Sequence, residues 1–199
     1  MNAVLYIHGR GGSADEAAWY APLFPACEVV GLDYKGSTPW DTKEEMIEAV
    51  KALKAKYTKV FLIANSIGAY FVMNAGVEKD IAHAYFISPV INMEKLITDM
   101  MRYAGVTEAE LREKDVIKTS FDEDLSWDYL CYVRDNPIKW SVPTDILCGG
   151  RDALVCVDTT EAFAKAHNAS LTVMENGEHW FHTKQQMRFL RDWMKEKIE

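Results

Sequence analysis

The stretch VFLIANSIGA, residues 60–69, decides how this chain folds. Its first five residues, 60–64, form a short apolar run typical of a strand buried on both faces of a parallel sheet. The run ends at a polar turn with Ser66 at its apex, and small apolar residues then predict a buried helix over 69–75. A strand, a sharp turn and a helix in this order predict a Ser hydroxyl held above the edge of a sheet.

Such a turn needs small residues on both sides of the Ser, because the strand and the helix nearly touch there. Ala64 and Gly68 occupy the positions two before and two after Ser66. The common pattern has Gly at both places, so Ala64 is a departure of one methyl group. A Ser between small residues is also typical of ordinary strand-to-helix turns, so its meaning depends on the rest of the chain.

Short apolar strands alternate with helices along most of the chain. The pattern predicts six strands, over 3–7, 27–32, 60–64, 84–87, 144–148 and 171–174. Capping-box spacings predict helix starts at Ser13, Asp41, Thr107 and Asp158. This alternation indicates a parallel sheet built from right-handed β-α-β units.

The alternation lapses between the fourth and fifth strands. No strand is predicted from about residue 91 to residue 140, where helical patterns and large apolar side chains dominate. We therefore expect a single α/β domain over residues 1–199, with residues 91–140 as a helical insertion.

These features resemble the α/β-hydrolase superfamily, in particular its small bacterial serine esterases. The resemblance rests on the Ser66 turn, on the loop HGRGGS after the first strand, and on the later segments ILCGGRDALV and NGEHWFH. It implies a three-layer α/β-hydrolase fold with parallel strands in the order second, first, third, fourth, fifth, sixth. It also implies that residues 91–140 form a small helical cap, and that the family's first two strands are missing.

Three positions carry the residue types of a Ser-His-Asp triad, in the family's order of Ser, acid and His. A Ser hydroxyl needs a base to take its proton, and the base needs an acid to orient it. Ser66 is the expected nucleophile, Asp152 after the fifth strand the acid, and His179 after the last strand the base. Because the carboxyl ends of parallel strands share one edge of a sheet, we expect the three side chains to meet there.

Two alternatives stay open for the base and the acid. His182 lies three residues beyond His179 and is a rival base. Glu94 follows the fourth strand, where some members of the family place the acid. Asp145 lies within or before its strand, so it is not expected to reach the same edge.

Acyl transfer also needs hydrogen-bond donors for the oxyanion that develops on the substrate. The resemblance assigns this role to the backbone N–H of Ile67, directly after the nucleophile, and to that of Arg10 in the His-Gly loop. Gly9 would let the loop backbone approach the substrate closely. The Arg10 side chain either points into the pocket and favours an acidic or polar substrate group, or is solvated.

Composition limits the partners. The formal net charge of −8 over 199 residues repels phosphate backbones, so nucleic acid is not expected as a partner. The four Cys residues lie far apart and lack metal-ligand spacing, so we expect reduced core residues and neither a metal nor another cofactor. No apolar run approaches the roughly 20 residues of a membrane-spanning helix, and the first residues lack a signal-peptide pattern. A cytoplasmic protein without a membrane span is expected.

The resemblance implies a serine hydrolase that cleaves carboxylic esters of small to medium acyl groups. Thioesters and small amides use the same machinery, so the leaving group stays open, as does the oligomeric state. The alternative is a non-catalytic or peroxidase-like protein of the same fold. Non-catalytic members typically lack a triad residue, and this chain has a candidate for each of the three.

Overall fold

The computed structural model describes residues 1–121 and 123–198. These residues divide into two compact units, one formed by residues 1–91 and 139–198 and the other by residues 92–138. The bounds of the second unit lie close to those of the expected insertion. That it acts as a cap stays a prediction.

Six parallel strands of the first unit form one sheet. In chain order the strands of the protein are β1 (Asn2–Ile7), β2 (Cys27–Leu32), β3 (Val60–Asn65), β4 (His83–Ile87), β5 (Val116–Ile117), β6 (Leu125–Ser126), β7 (Thr144–Gly149) and β8 (Ser170–Met174). The sheet has the order β2-β1-β3-β4-β7-β8, and every pairing in it is parallel. The strand order expected from the sequence is confirmed.

Helices of the first unit flank this sheet in a three-layer arrangement. The α-helices are α1 (Ala17–Tyr20), α2 (Pro39–Lys54), α3 (Ile67–Asn74), α4 (Met93–Ala104), α5 (Glu108–Lys114), α6 (Trp127–Asp135), α7 (Val157–Ala166) and α8 (Lys184–Ile198). Residues of α1 and α8 pack in one buried cluster with alternate residues of the strands, among them Tyr6, Ile63 and Ile87. The sheet side chains are removed from water in this way, which is the main favourable term in folding.

The predicted N-cap residues of two helices were wrong by two or three positions. Helix α2 begins at Pro39 rather than at Asp41, and the Thr38 side chain caps it by accepting from Asp41 N at 3.2 Å. Pro at the first helical position loses no hydrogen bond, which is why the helix extends back to it. Helix α7 begins at Val157 with Cys156 as its N-cap residue, two positions before the expected cap at Asp158.

The second unit contains helices α4, α5 and α6 and one strand pair that the sequence did not predict. Strands β5 and β6 are antiparallel and only two residues long each, too short to produce an alternating pattern. The capping box predicted at Thr107 and Glu110 is present at the start of α5. Arg134 of α6 forms ion pairs with Glu94 and Glu108, at 2.7 and 2.8 Å, within the same unit.

No helix among residues 1–121 and 123–198 is long and apolar enough to cross a membrane.

The first turn of α3 lies against the end of β1. A Cβ atom at Gly68 would lie 2.3 Å from the backbone oxygen of His8 and 2.9 Å from Ile7 Cγ2. Real Cβ atoms do not approach backbone oxygens so closely, so a methyl group here would push the helix away from the loop after β1.

We predict that Gly68→Ala lowers the free energy of unfolding by about 3 kcal/mol, the upper range for overpacking. Gly76, just after the same helix, is the matched control: it has φ 78° and an added Cβ would meet nothing within 4 Å. Gly76→Ala should cost only about 1 kcal/mol, from the left-handed backbone alone. Denaturant unfolding measures both, and equal costs would contradict the close approach at Gly68.

Asp145 anchors the last helix at the amino end of the sheet. Its carboxylate accepts from His83 Nε2 at 2.7 Å and from Ser170 Oγ, and it lies 3.4 Å from Lys197 Nζ near the end of α8. Burial alone would raise the pKa of Asp145, but the hydrogen bonds from His83 and Ser170 and the charge of Lys197 lower it overall. The ionised form is therefore stabilised in the folded protein.

A carboxyl group with a lowered pKa in the folded state stabilises the protein above its unfolded pKa, about 4, and loses this effect as the pH falls through the folded pKa. We predict that Asp145→Asn destabilises the protein by about 1–3 kcal/mol at pH 7. The difference from the wild type should shrink below about pH 4. Thermal unfolding across pH 3–8 measures it, with the exposed Asp15→Asn as control; a gap that widens in acid would contradict the assignment.

Candidate active site

Ser66 lies in a strained turn between β3 and α3. Its backbone has φ 50° and ψ −123°, a region that non-glycine residues rarely adopt. Two hydrogen bonds hold the turn: Ser66 N donates to Ile87 O at 3.0 Å, and Val90 N donates to Ser66 O at 3.0 Å. The end of β4 thus fixes a conformation that the local sequence alone would not favour.

Ser66, His179 and Asp152 form a continuous hydrogen-bonded row. Ser66 Oγ lies 2.8 Å from His179 Nε2, and His179 Nδ1 lies 2.7 Å from Asp152 Oδ2. A carboxylate can only accept hydrogen bonds, so Nδ1 carries the ring proton and donates a hydrogen bond to Asp152. In the neutral imidazole, Nε2 is then free to accept from the Ser66 hydroxyl.

Backbone groups hold the Asp152 carboxylate in place. Its Oδ1 accepts from the N–H groups of Leu154 and Val155, both at 2.8 Å, which leaves Oδ2 to His179. The Asp152 side chain is completely buried, whereas the His179 side chain keeps 19% of its surface exposed. The acid is therefore shielded from water, while the imidazole faces the site.

Two glycines allow the loops that carry Asp152 and His179 to touch. A Cβ atom at Gly149 would lie 2.4 Å from Gly177 O, so only glycine fits there. The loops are also joined directly, because Arg151 N donates to Gly177 O at 2.8 Å. This contact sets the distance between the segments that carry Asp152 and His179.

The loop after β1 lies against Ser66 on the other side. A Cβ at Gly9 would be 3.1 Å from Ser66 Cβ. Tyr34 supports the loop: its hydroxyl donates to His8 O at 2.9 Å, and its ring stacks on the His8 imidazole with centroids 4.2 Å apart. Arg10 belongs to this loop and borders the cavity beside Ser66.

The structure does not place either rival side chain in the hydrogen-bonded row. The His182 side chain is 40% exposed; its Nδ1 lies 2.7 Å from Trp180 O and 3.7 Å from Glu178 Oε2. The Glu94 carboxylate is paired with Arg134 in the second unit. Asp145 lies at the amino end of β7, as the sequence predicted, and binds His83.

A cavity of about 750 Å³ opens beside Ser66. Its apolar walls are formed by Trp19, Ile87, Leu154, Trp180, Phe181, Met187 and Leu190. Phe181 and Leu190 are buried, whereas Leu154 and Trp180 are 57% and 73% exposed and form part of the cavity's outer edge. All lining residues belong to the first unit. The volume is in the range of small-molecule sites.

A row of hydrogen-bonded polar side chains, not predicted from the sequence, lies in the wall of this cavity. Tyr6 donates its hydroxyl proton to Glu16 Oε2, and Asn65 Nδ2 donates to the Tyr6 oxygen at 2.9 Å. Burial, followed by the neighbouring Tyr20 and Glu16, raises the pKa of Tyr6, and burial likewise raises that of Tyr20. Both phenols therefore keep their protons near neutral pH. Glu16 was recognised only as a capping-box residue, and nothing in its spacing to Tyr6 indicates this contact.

Within residues 1–121 and 123–198, no three His, Cys, Asp or Glu side chains converge in a way that could hold a metal ion. The chemistry available at the site is that of the Ser66 hydroxyl, the His179 imidazole, the Asp152 carboxylate and nearby backbone N–H groups.

No protein-family model and no curated protein sequence matches this chain. Solved structures do match it. The esterase Est1E from Butyrivibrio proteoclasticus has a TM-score of 0.79 and 17% identity, over 99% of this chain and 86% of that one. The mouse α/β-hydrolase domain-containing protein 10 has a TM-score of 0.76 and 13% identity, over 98% and 89%.

An esterase from Pyrococcus furiosus has a TM-score of 0.61 and 20% identity, over 98% of this chain and 80% of that one. These sequence identities are low, so the similarity concerns the backbone fold. The strand order, the helices on the sheet and these neighbours agree, and the chain has the fold of the α/β-hydrolase superfamily.

Proposed function

We propose that this protein is a serine hydrolase that cleaves carboxylic esters of small to medium acyl groups through an acyl-enzyme. The observation that carries the proposal is the row from Ser66 Oγ through His179 to Asp152, with separations of 2.8 and 2.7 Å. Hydrolases and esterases among the structural neighbours support hydrolase activity in general.

In the first step, His179 Nε2 takes the proton of Ser66 as Oγ attacks the ester carbonyl carbon. The imidazolium is stabilised by Asp152, which accepts from Nδ1 throughout and does not itself take the proton. The tetrahedral intermediate then collapses, and His179 gives the proton to the departing alcohol oxygen. Water repeats the sequence on the acyl-Ser66 ester and releases the acid.

The backbone N–H groups of Ile67 and Arg10 are the proposed oxyanion donors. Ile67 is the first residue of α3, and the first N–H groups of a helix lack partners within the helix. The loop of Gly9 and Arg10 lies against Ser66 and borders the cavity, so a carbonyl oxygen near Oγ could face both segments. Such donors typically contribute 10²- to 10³-fold to kcat.

The cavity supports a small to medium acyl or alcohol group as substrate. Its walls are mostly aromatic and aliphatic, and Leu154 and Trp180 are large apolar side chains exposed beside the nucleophile. Exposed apolar surface at a pocket is typical of ligand sites. The same groups would also cleave thioesters; the proposal names esters as the substrate class.

We predict that Ser66→Ala lowers kcat for p-nitrophenyl acetate by about 10⁴- to 10⁶-fold while the protein stays folded. His179→Ala should have a comparable effect, because Ser66 then lacks its base. The loss in His182→Ala should stay within about tenfold, since its imidazole does not reach Oγ. A Ser66→Ala protein with near wild-type turnover, or a larger loss in His182→Ala than in His179→Ala, would refute the assignment.

The acid is tested in the same assay by Asp152→Asn, with Glu94→Gln as the matched control. Asn at 152 would favour the wrong His tautomer and should cost about 10⁴-fold in kcat. A larger loss of kcat in Glu94→Gln than in Asp152→Asn would assign the role of the acid to Glu94.

A further inference from the structure

Glu16, Tyr6 and Asn65 form a hydrogen-bonded chain in the wall of the Ser66 cavity, and none of them takes part in the proton transfers described above. All three border the cavity, whose other walls are mostly apolar. Glu16 is exposed, so water reaches its carboxylate, and a ligand that fills the cavity would displace this water. A polar ligand group that replaces the lost hydrogen bonds is therefore favoured at this wall over an apolar group.

The directions of the hydrogen bonds within the chain indicate whether the ligand group is a hydrogen-bond donor or an acceptor. The Tyr6 hydroxyl donates its one hydrogen bond to Glu16, and its oxygen accepts a hydrogen bond from Asn65. A carboxylate offers about four acceptor sites. On Glu16, Oε2 accepts the hydrogen bond from the Tyr6 hydroxyl, and Oε1 accepts one from Ser13 N at a long 3.4 Å. Glu16 thus keeps acceptor capacity, and as an exposed residue it can be reached from the cavity.

We propose that Glu16, oriented by Tyr6, is a specificity-determining residue that binds a hydroxyl group of the ester substrate by accepting its proton in a charge-assisted hydrogen bond. This inference rests on the proposed ester hydrolysis at Ser66, because it places the hydroxyl on the substrate of that reaction.

Charges around the cavity favour a neutral hydroxyl over ionic groups. A carboxylate on the substrate would be repelled by Glu16. An ammonium group would pair with Glu16, but it would enter a cavity that the cationic Arg10 also borders. A hydroxyl can donate to Glu16 without either conflict.

The test compares p-nitrophenyl esters that end in a hydroxyl, a methyl or a carboxylate group at matched chain lengths of about four to eight carbons. For the chain length that fits best, we expect kcat/KM to favour the ω-hydroxy ester over the methyl-ended ester by about tenfold. The carboxylate-ended ester should be the poorest substrate. Ratios measured on one protein preparation cancel differences in the fraction of active enzyme.

Glu16→Gln removes the charge and keeps an acceptor for Tyr6. It should reduce the hydroxyl-to-methyl ratio from about tenfold to about threefold, since a neutral hydrogen bond is about half as strong. It should also raise the carboxylate-to-methyl ratio severalfold. Asp15→Asn is the matched control, because Asp15 is an exposed carboxylate in the same turn that does not line the cavity; it should leave both ratios unchanged.

A hydroxyl-to-methyl ratio near one in the wild type, or equal ratios in wild type and Glu16→Gln, would overturn the role of Glu16. A purely structural role would lower all three rates together and leave the ratios unchanged. Preference for the carboxylate-ended ester would assign the polar contact to Arg10 instead and also overturn the proposal.

A binding measurement separates this inference from the hydrolysis itself. On Ser66→Ala protein, NMR titration compares methyl 6-hydroxyhexanoate with methyl heptanoate, and the hydroxy ester should bind severalfold more tightly. If it does while the wild type hydrolyses no ester, the proposed function fails and the hydroxyl site stands. If the two ligands bind equally in Ser66→Ala and in its Glu16→Gln double variant, the hydroxyl site fails whatever the activity.

Discussion

The hydrogen bond from His179 Nδ1 to the buried Asp152 carboxylate is the interaction on which the site depends. It fixes the tautomer that leaves Nε2 facing Ser66, and the Leu154 and Val155 N–H groups hold the Asp152 carboxylate in place for it. A buried carboxylate would otherwise be costly. Here three hydrogen bonds satisfy it, so its burial serves to orient the imidazole.

Backbone contacts rather than side chains set the positions of the segments that carry Ser66, Asp152 and His179. Gly149 and Gly177 let the loops after β7 and β8 touch, and Gly68 lets α3 rest against the end of β1. The parallel sheet directs all these strand ends to one edge, and the bond from Ser66 N to Ile87 O fixes the strained turn. The site is thus built from rigid strand ends, which suits the short distances that proton transfer requires.

Features that follow from strong local patterns could be predicted from the sequence. The six sheet strands are apolar runs bounded by turns, and the positions of Ser66, Asp152 and His179 follow from the carboxyl ends of three of them. The contact of Tyr6 with Glu16 could not be predicted, because it joins a strand residue to a helix residue without a characteristic spacing. The strand pair β5–β6 was missed because two residues are too few for a period. The early start of α2 depends on the Thr38 side chain, which caps the helix. Asp41, the cap expected from its spacing to Glu44, lies within the first turn instead.

We infer that the fold activates Ser66 among all the hydroxyl groups of the chain. A fluorophosphonate probe can detect this activation, because it reacts with activated Ser residues and needs no knowledge of the substrate. We predict one adduct per chain, mapped by mass spectrometry to Ser66, and none in heat-denatured protein or in Ser66→Ala. An unlabelled folded protein, or an adduct that persists in Ser66→Ala, would contradict the account.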